Sequence, residues 1–194
     1  LLKEITPEGK KETTQPHGSF PVDLHLDPKQ PNKIFGRSPV KYTNEGKGLC
    51  RWIGLDVDLK LEPKEACSKA WSVDTDIVPF RSTNGKWHYY KFLKDFIDVD
   101  RARLIKDKLV EQFNILGLKC DKDKCLPQGY NLKDRTPGNQ LYLPRFYDGT
   151  IPYSPRGEPL TESQFLFRLD NLKPPLISGS VGLVSGTGDT GGRQ

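Results

Sequence analysis

Apolar and polar positions alternate along Trp52-Ile53-Gly54-Leu55-Asp56-Val57-Asp58-Leu59. Period two is the mark of a half-buried strand. Leu55, Val57 and Leu59 fall on one face, Asp56 and Asp58 on the other. Lys33–Tyr42 and Gly48–Leu59 lead into this acidic strand. Two more strands are predicted over Ile77–Arg81 and Trp87–Leu93. Between them lies Ser82–Lys86, whose Asn84-Gly85 pair is a hairpin signal. Leu104, Ile105, Leu109, Val110, Phe113 and Leu116 recur at three- and four-residue steps. That spacing predicts a helix over Asp100–Leu116, ended by Gly117. Shorter helices are predicted over Pro63–Trp71, with proline in its first turn, and Thr161–Leu169, capped by Thr161. Leu141-Tyr142-Leu143 reads as a short strand. Strands and helices mix without regular βαβ repetition, so the expected class is α+β on an antiparallel or mixed sheet.

The flanks differ from this centre. Residues 1–30 are polar and carry Pro7, Pro16, Pro21 and Pro28, which predicts a poorly ordered arm or an extended wrap. Residues 178–194 are rich in Gly, Ser and Thr and read as a flexible tail or linker. Gly186–Arg193 has the glycine spacing of a phosphate loop but lacks its Lys and Ser/Thr, and no strand precedes it. Residues 31–177 remain as the functional domain. The hydrophobic fraction is low, 35%, beside 18 Gly and 16 Pro, so loops are many. No apolar run approaches the roughly 20 residues of a membrane span, and Leu1 opens no signal-peptide pattern. Leu1 stands where a Met would, and the chain has no Met at all, as in a piece of something longer. A net charge of +5 permits polyanion binding without demonstrating it. Cys120 and Cys125 are close in sequence, but Cys50 and Cys67 are too far apart to complete a zinc pattern. All four read as reduced thiols in a cytoplasmic protein.

Two carboxylates on one strand face repel unless a proton or cation relieves them. Hard divalent cations favour such oxygen pairs, usually together with substrate phosphates. Asp56 and Asp58 therefore read as a metal site, against the alternative of an edge strand with a solvated face. Asp98 and Asp100 share the spacing but precede the long helix, where Asp caps free N–H groups. Asp74 and Asp76 fall in a turn. The hairpin Arg81-Ser82-Thr83-Asn84-Gly85-Lys86-Trp87-His88 is a second signal. It gathers a guanidinium, a hydroxyl, glycine backbone, an ammonium and an imidazole, all able to face one anion. His88 is either a structural strand residue or, with Lys86 and Ser82, an anion ligand.

Cys120-Asp121-Lys122-Asp123-Lys124-Cys125-Leu126-Pro127-Gln128 is a third signal, and Gly138-Asn139 before Leu143-Pro144-Arg145 is a fourth. Taken in order, the four resemble the archaeo-eukaryotic primase superfamily, the primase-polymerases of phages, plasmids and mobile elements. That family has an Asp-x-Asp strand, a Ser- and Gly-rich turn ending in His, a third acid before a Pro-Gln element, then Gly-Asn and Leu-Pro. Gly157-Glu158-Pro159-Leu160 before Phe165 is similar to its closing segment. The likeness spans about Lys33 to Leu169. Lys86 stands where many members have Ser, a departure in the phosphate-binding turn.

The resemblance implies an RNA-recognition-like sheet carrying the acids beside a smaller α/β module. It implies a DNA primase or polymerase that adds nucleotides to a 3′-hydroxyl by a two-metal mechanism. Asp56, Asp58 and Asp123 would be the catalytic, metal-holding acids for two Mg²⁺ or Mn²⁺ ions. Asp123 fits the distance to Pro127 better than Asp121. Arg81, Ser82, Lys86 and His88, with Arg145, would hold the nucleoside triphosphate. Single-stranded DNA template and primer are the implied partners, without a membrane, and a helicase or primer-binding domain can accompany such a core. Trp87, Tyr89 and Tyr142 are core residues first and base-stacking candidates second. Competing readings are a metal-dependent nuclease and a non-catalytic nucleic-acid-binding module.

Overall fold

The computed structural model describes residues 2–6, 9–13, 33–82, 84–128, 141–142 and 151–172. Its centre is a five-stranded antiparallel sheet in the order β4-β5-β7-β6-β9, formed by β4 (Val40–Tyr42), β5 (Gly48–Val57), β6 (Ile77–Arg81), β7 (Trp87–Asp98) and β9 (Ile151–Pro152). Three helices accompany it: α1 (Pro63–Val73), α2 (Val99–Ile115) and α3 (Glu162–Asp170). The chain is thus an α+β protein, and among the described residues no helix is long and apolar enough to cross a membrane.

The sheet has two buried faces. Ile53, Leu55 and Val57 of β5 and Trp87 and Tyr89 of β7 pack under α1 and α2, against Ala66, Cys67, Ala70, Leu109, Val110 and Phe113. On the other face Trp52, Val78, Phe80 and Tyr90 are covered by Leu126 and by Phe165 of α3. Phe165 meets Phe80 edge-on at 5.4 Å. The Arg168 guanidinium ties α3 down by donating to the Thr75 and Ile77 carbonyls.

The helix ends follow local chemistry. Pro63 opens α1. Thr161 and Gln164 form a reciprocal capping box on α3. Gly117, at φ +74, closes α2 in a Schellman turn, with the Leu118 amide on the Phe113 carbonyl and the Gly117 amide on that of Asn114. Asp98 caps α2: its side chain accepts from the Asp100 amide at 2.8 Å. Asp98→Ala should therefore cost about 1 kcal/mol while Asp98→Asn stays near neutral. Thermal melts would reject the cap assignment if both substitutions destabilised equally.

Several boundaries differ from the sequence expectation. The segment expected from Lys33 to Tyr42 is broken by Pro39, which has no N–H, with the Ser38 hydroxyl accepting from the Val40 amide. β7 runs to Asp98 rather than Leu93, because its second half pairs with β5 beyond a bulge between Cys50 and Trp52. The expected arm contains two strands, β1 (Leu2–Thr6) and β2 (Gly9–Thr13). They pair with each other, and β1 pairs with β3 (Lys33–Arg37). With β8 (Leu141–Tyr142) they make a second sheet, β2-β1-β3-β8. β1 thus finds backbone partners on both sides, β2 and Lys33–Arg37, which polar composition does not reveal.

Candidate functional site

Antiparallel register brings the two sequence signals together. Asp56 of β5 lies opposite His88 of β7, and His88 lies opposite Phe80 of β6. The His88 Nε2 stands 3.3 Å from Asp56 Oδ1, both side chains partly buried. One step further along, Lys86 Nζ is 2.7 Å from Asp58 Oδ1. Asp58 Oδ2 takes a second ammonium, Lys124 Nζ, at 2.8 Å. Lys124 and Lys86 together hold the Asp58 carboxyl down to about 2.

Lys124 arrives from a segment that extends the sheet beside β5. Leu126 and Gly54 exchange backbone hydrogen bonds, and Cys120 bridges Val57. Asn114 of α2 holds the Cys120 backbone from both sides, donating to its carbonyl and accepting from its amide. Lys122 is tied to Asp107 of α2 at 3.0 Å. The turn between is closed by the Asp121 carboxylate, which accepts from the Asp123 amide.

The hairpin turn is well defined. The Ser82 amide donates to the Lys86 carbonyl, and the Lys86 amide to the Ser82 hydroxyl at 3.1 Å. Gly85 has φ +78, a conformation costly for other residues. A Cβ there would lie 3.9 Å from Arg81 Nη2 and from the Lys60 stem, so both cations flank the turn. Register pairs Arg81 with Trp87, whose side chain lies under the helices, so Arg81 reaches the turn from the face opposite His88.

The structure thus gathers Asp56, Asp58, Lys86 and His88, with Ser82 and Arg81 at the edge. The Asp121 carboxylate lies 3.6 Å from Lys124. Asp123 is exposed and makes no ion pair among the described residues. Arg145 lies outside the described residues, as does the Gly138-Asn139 motif. Trp87 and Tyr89 are fully buried and stack on the core rather than on a ligand. Asp74 pairs with Lys91 at 2.6 Å, remote in register from Asp56.

No three acid, thiol or imidazole groups form a metal cage among the described residues. Asp56 and Asp58 nevertheless supply the hard oxygen donors for an ion whose shell is completed by water and substrate phosphates, the usual state of Mg²⁺. Sequence reasoning missed Lys124 and Lys60. Lys124 sits in an alternating charge run that reads as a solvated turn, and only the Gly54–Leu126 bridge aims it at Asp58.

Compared with known proteins, the chain matches no protein-family model and no curated protein.

Proposed function

We propose that this protein is a nucleotidyltransferase of primase-polymerase type, adding nucleotides to a 3′-hydroxyl on a single-stranded DNA template. The observation that carries the reading is the meeting of two carboxylates at the end of β5 with a histidine and with lysines from the glycine turn and from Lys124. Cations gather there: Lys86 and Lys124 pair with Asp58, and Lys60 and Arg81 flank the neighbouring glycine turn. Such a gathering suits a polyphosphate. Asp56 and Asp58 would hold Mg²⁺ or Mn²⁺, which when bound supplies charge neutralisation at the reacting phosphate. Lys86 and Lys124 would exchange Asp58 for triphosphate oxygens. His88, positioned by Asp56, would donate to the same group. The α+β sheet with its acids at a strand end is consistent with a primase-polymerase core.

A template surface has its own support. Phe96 is exposed, and Lys41 Nζ and the Arg51 guanidinium stand 5.7 and 5.5 Å from its ring centroid. Neither cation makes an ion pair among the described residues. An open aromatic ring beside unpaired cations suits a stacked base and its phosphates.

One observation favours the non-catalytic binding module instead: Lys124, not an acid, faces Asp58. Incubation with primed template, nucleoside triphosphates and Mn²⁺ decides. Extension supports the polymerase; single-strand binding without extension supports the module; shortening of the primer returns the nuclease. Within the polymerase reading, His88→Ala and Lys86→Ala should each weaken nucleotide binding about tenfold, from lost charge-assisted contacts. Their single-strand affinity should hold. Phe96→Ala and Arg51→Ala should show the converse, and Arg51→Ala should also lower the salt slope by about one. A His88→Ala protein that lost DNA but kept nucleotide would move the hairpin to the template groove.

A further inference from the structure

Cys120 and Cys125 lie at the two ends of the turn that presents Lys124, and their sulfurs are 3.2 Å apart. The backbone fixes this approach. Cys120 is clamped by Asn114 and by its bridge to Val57, and Cys125 is followed directly by Leu126, locked to Gly54. A disulfide has a sulfur separation of about 2.05 Å, so the two atoms need to close by roughly 1.2 Å. Cys50 and Cys67 are free and buried, and each lacks a thiol partner.

We infer that Cys120 and Cys125 are a reversible oxidation site, converted by hydrogen peroxide to an intramolecular disulfide. One sulfur, as thiolate, attacks a peroxide oxygen; the O–O bond breaks, leaving a sulfenic acid and hydroxide, which takes up the thiol's proton as water. The neighbouring thiol attacks that sulfur, the S–O bond breaks, and a second water leaves. Two thiols and one peroxide give one disulfide and two waters, with two electrons passing from sulfur to oxygen. Both cysteines are buried, so a small oxidant such as peroxide is favoured over bulky ones. The bond closes a ring over Asp121–Lys124 and so pins the backbone from which Lys124 reaches Asp58. None of this depends on the nucleotidyltransferase reading.

The full chain is treated with a small molar excess of peroxide, denatured, alkylated with N-ethylmaleimide and weighed, with a peptide map. Two alkylated cysteines, Cys50 and Cys67, are expected, with one 120–125 cross-link that dithiothreitol removes. Loss of the paired thiols should be at least tenfold faster than loss of Cys50 or Cys67. Cys120→Ser should leave Cys125 as a sulfenic acid trapped by dimedone, with no cross-link. Cys67→Ser should leave the cross-link unchanged. Four alkylated thiols after treatment, a link through Cys50 or Cys67, a link between chains, or direct passage to sulfinic acid would each overturn the assignment. The wild-type mass alone settles it if a variant fails to fold.

Discussion

Asp56→Asn is expected to cut nucleotide incorporation by about a hundredfold or more while leaving the fold intact, and Asp58→Asn by a similar factor. Losing a carboxylate that holds the ion removes several kcal/mol of charge stabilisation, and each 1.36 kcal/mol is about tenfold in rate. Stability should barely move, and its direction is informative. Asp58 is not left to repel Asp56; it is neutralised by Lys86 and Lys124. Asp58→Asn should therefore cost between zero and about 1 kcal/mol, since the pair is half exposed and screened by water. Its carboxyl is depressed in the folded state, so the contribution is fully present above the unfolded value. It fades as pH falls from about 4 to about 2. Urea melts at pH 7 and pH 3 should bring wild type and Asp58→Asn closer together at the lower pH. Near wild-type incorporation by either variant would sink the metal assignment; a widening gap at low pH would sink the ion-pair account.

Local patterns were legible where one short-range interaction decides the outcome. Period two put Asp56 and Asp58 on the face opposite Leu55 and Val57; β5 carries Asp56 so but ends at Val57, and Asp58 follows just past the strand end. Asn84-Gly85 marked the turn, Gly117 the end of α2 and Thr161 the start of α3. Long-range pairing was not legible. Nothing in the run Asp121-Lys122-Asp123-Lys124 says that its fourth residue faces Asp58 sixty-six positions away. Two backbone hydrogen bonds at Gly54 decide that. The same pairing draws Asp121 toward Lys124, while Asp123 makes no ion pair among the described residues. Phe96 was hidden for a related reason. A bulge at Arg51 lets β7 continue past Leu93, and the ring emerges beside Lys41 and Arg51.

Trp87→Ala should destabilise the protein more than any change at the polar site, by about 3–5 kcal/mol. Trp87 is fully buried. Its ring packs on Tyr153 at 5.2 Å and stacks on Tyr89 at 6.3 Å, and its Nε1 donates to the Leu61 carbonyl at 3.0 Å. Truncation empties that space and orphans the Leu61 carbonyl. Against a total stability of about 5–15 kcal/mol, the loss should pull the urea midpoint down sharply with little change in slope. Trp87→Phe keeps a ring and loses the hydrogen bond, so about 1–2 kcal/mol is expected. Lys86 and His88 flank Trp87 in sequence, but their side chains project to the opposite face of the strand. Nucleotide affinity of Trp87→Phe should accordingly stay within about twofold of wild type, inside the range of an indirect effect. Should Trp87→Phe instead keep its stability and lose nucleotide tenfold, the indole would be stacking on a base, and the hydrophobic core assigned beneath the hairpin would be wrong.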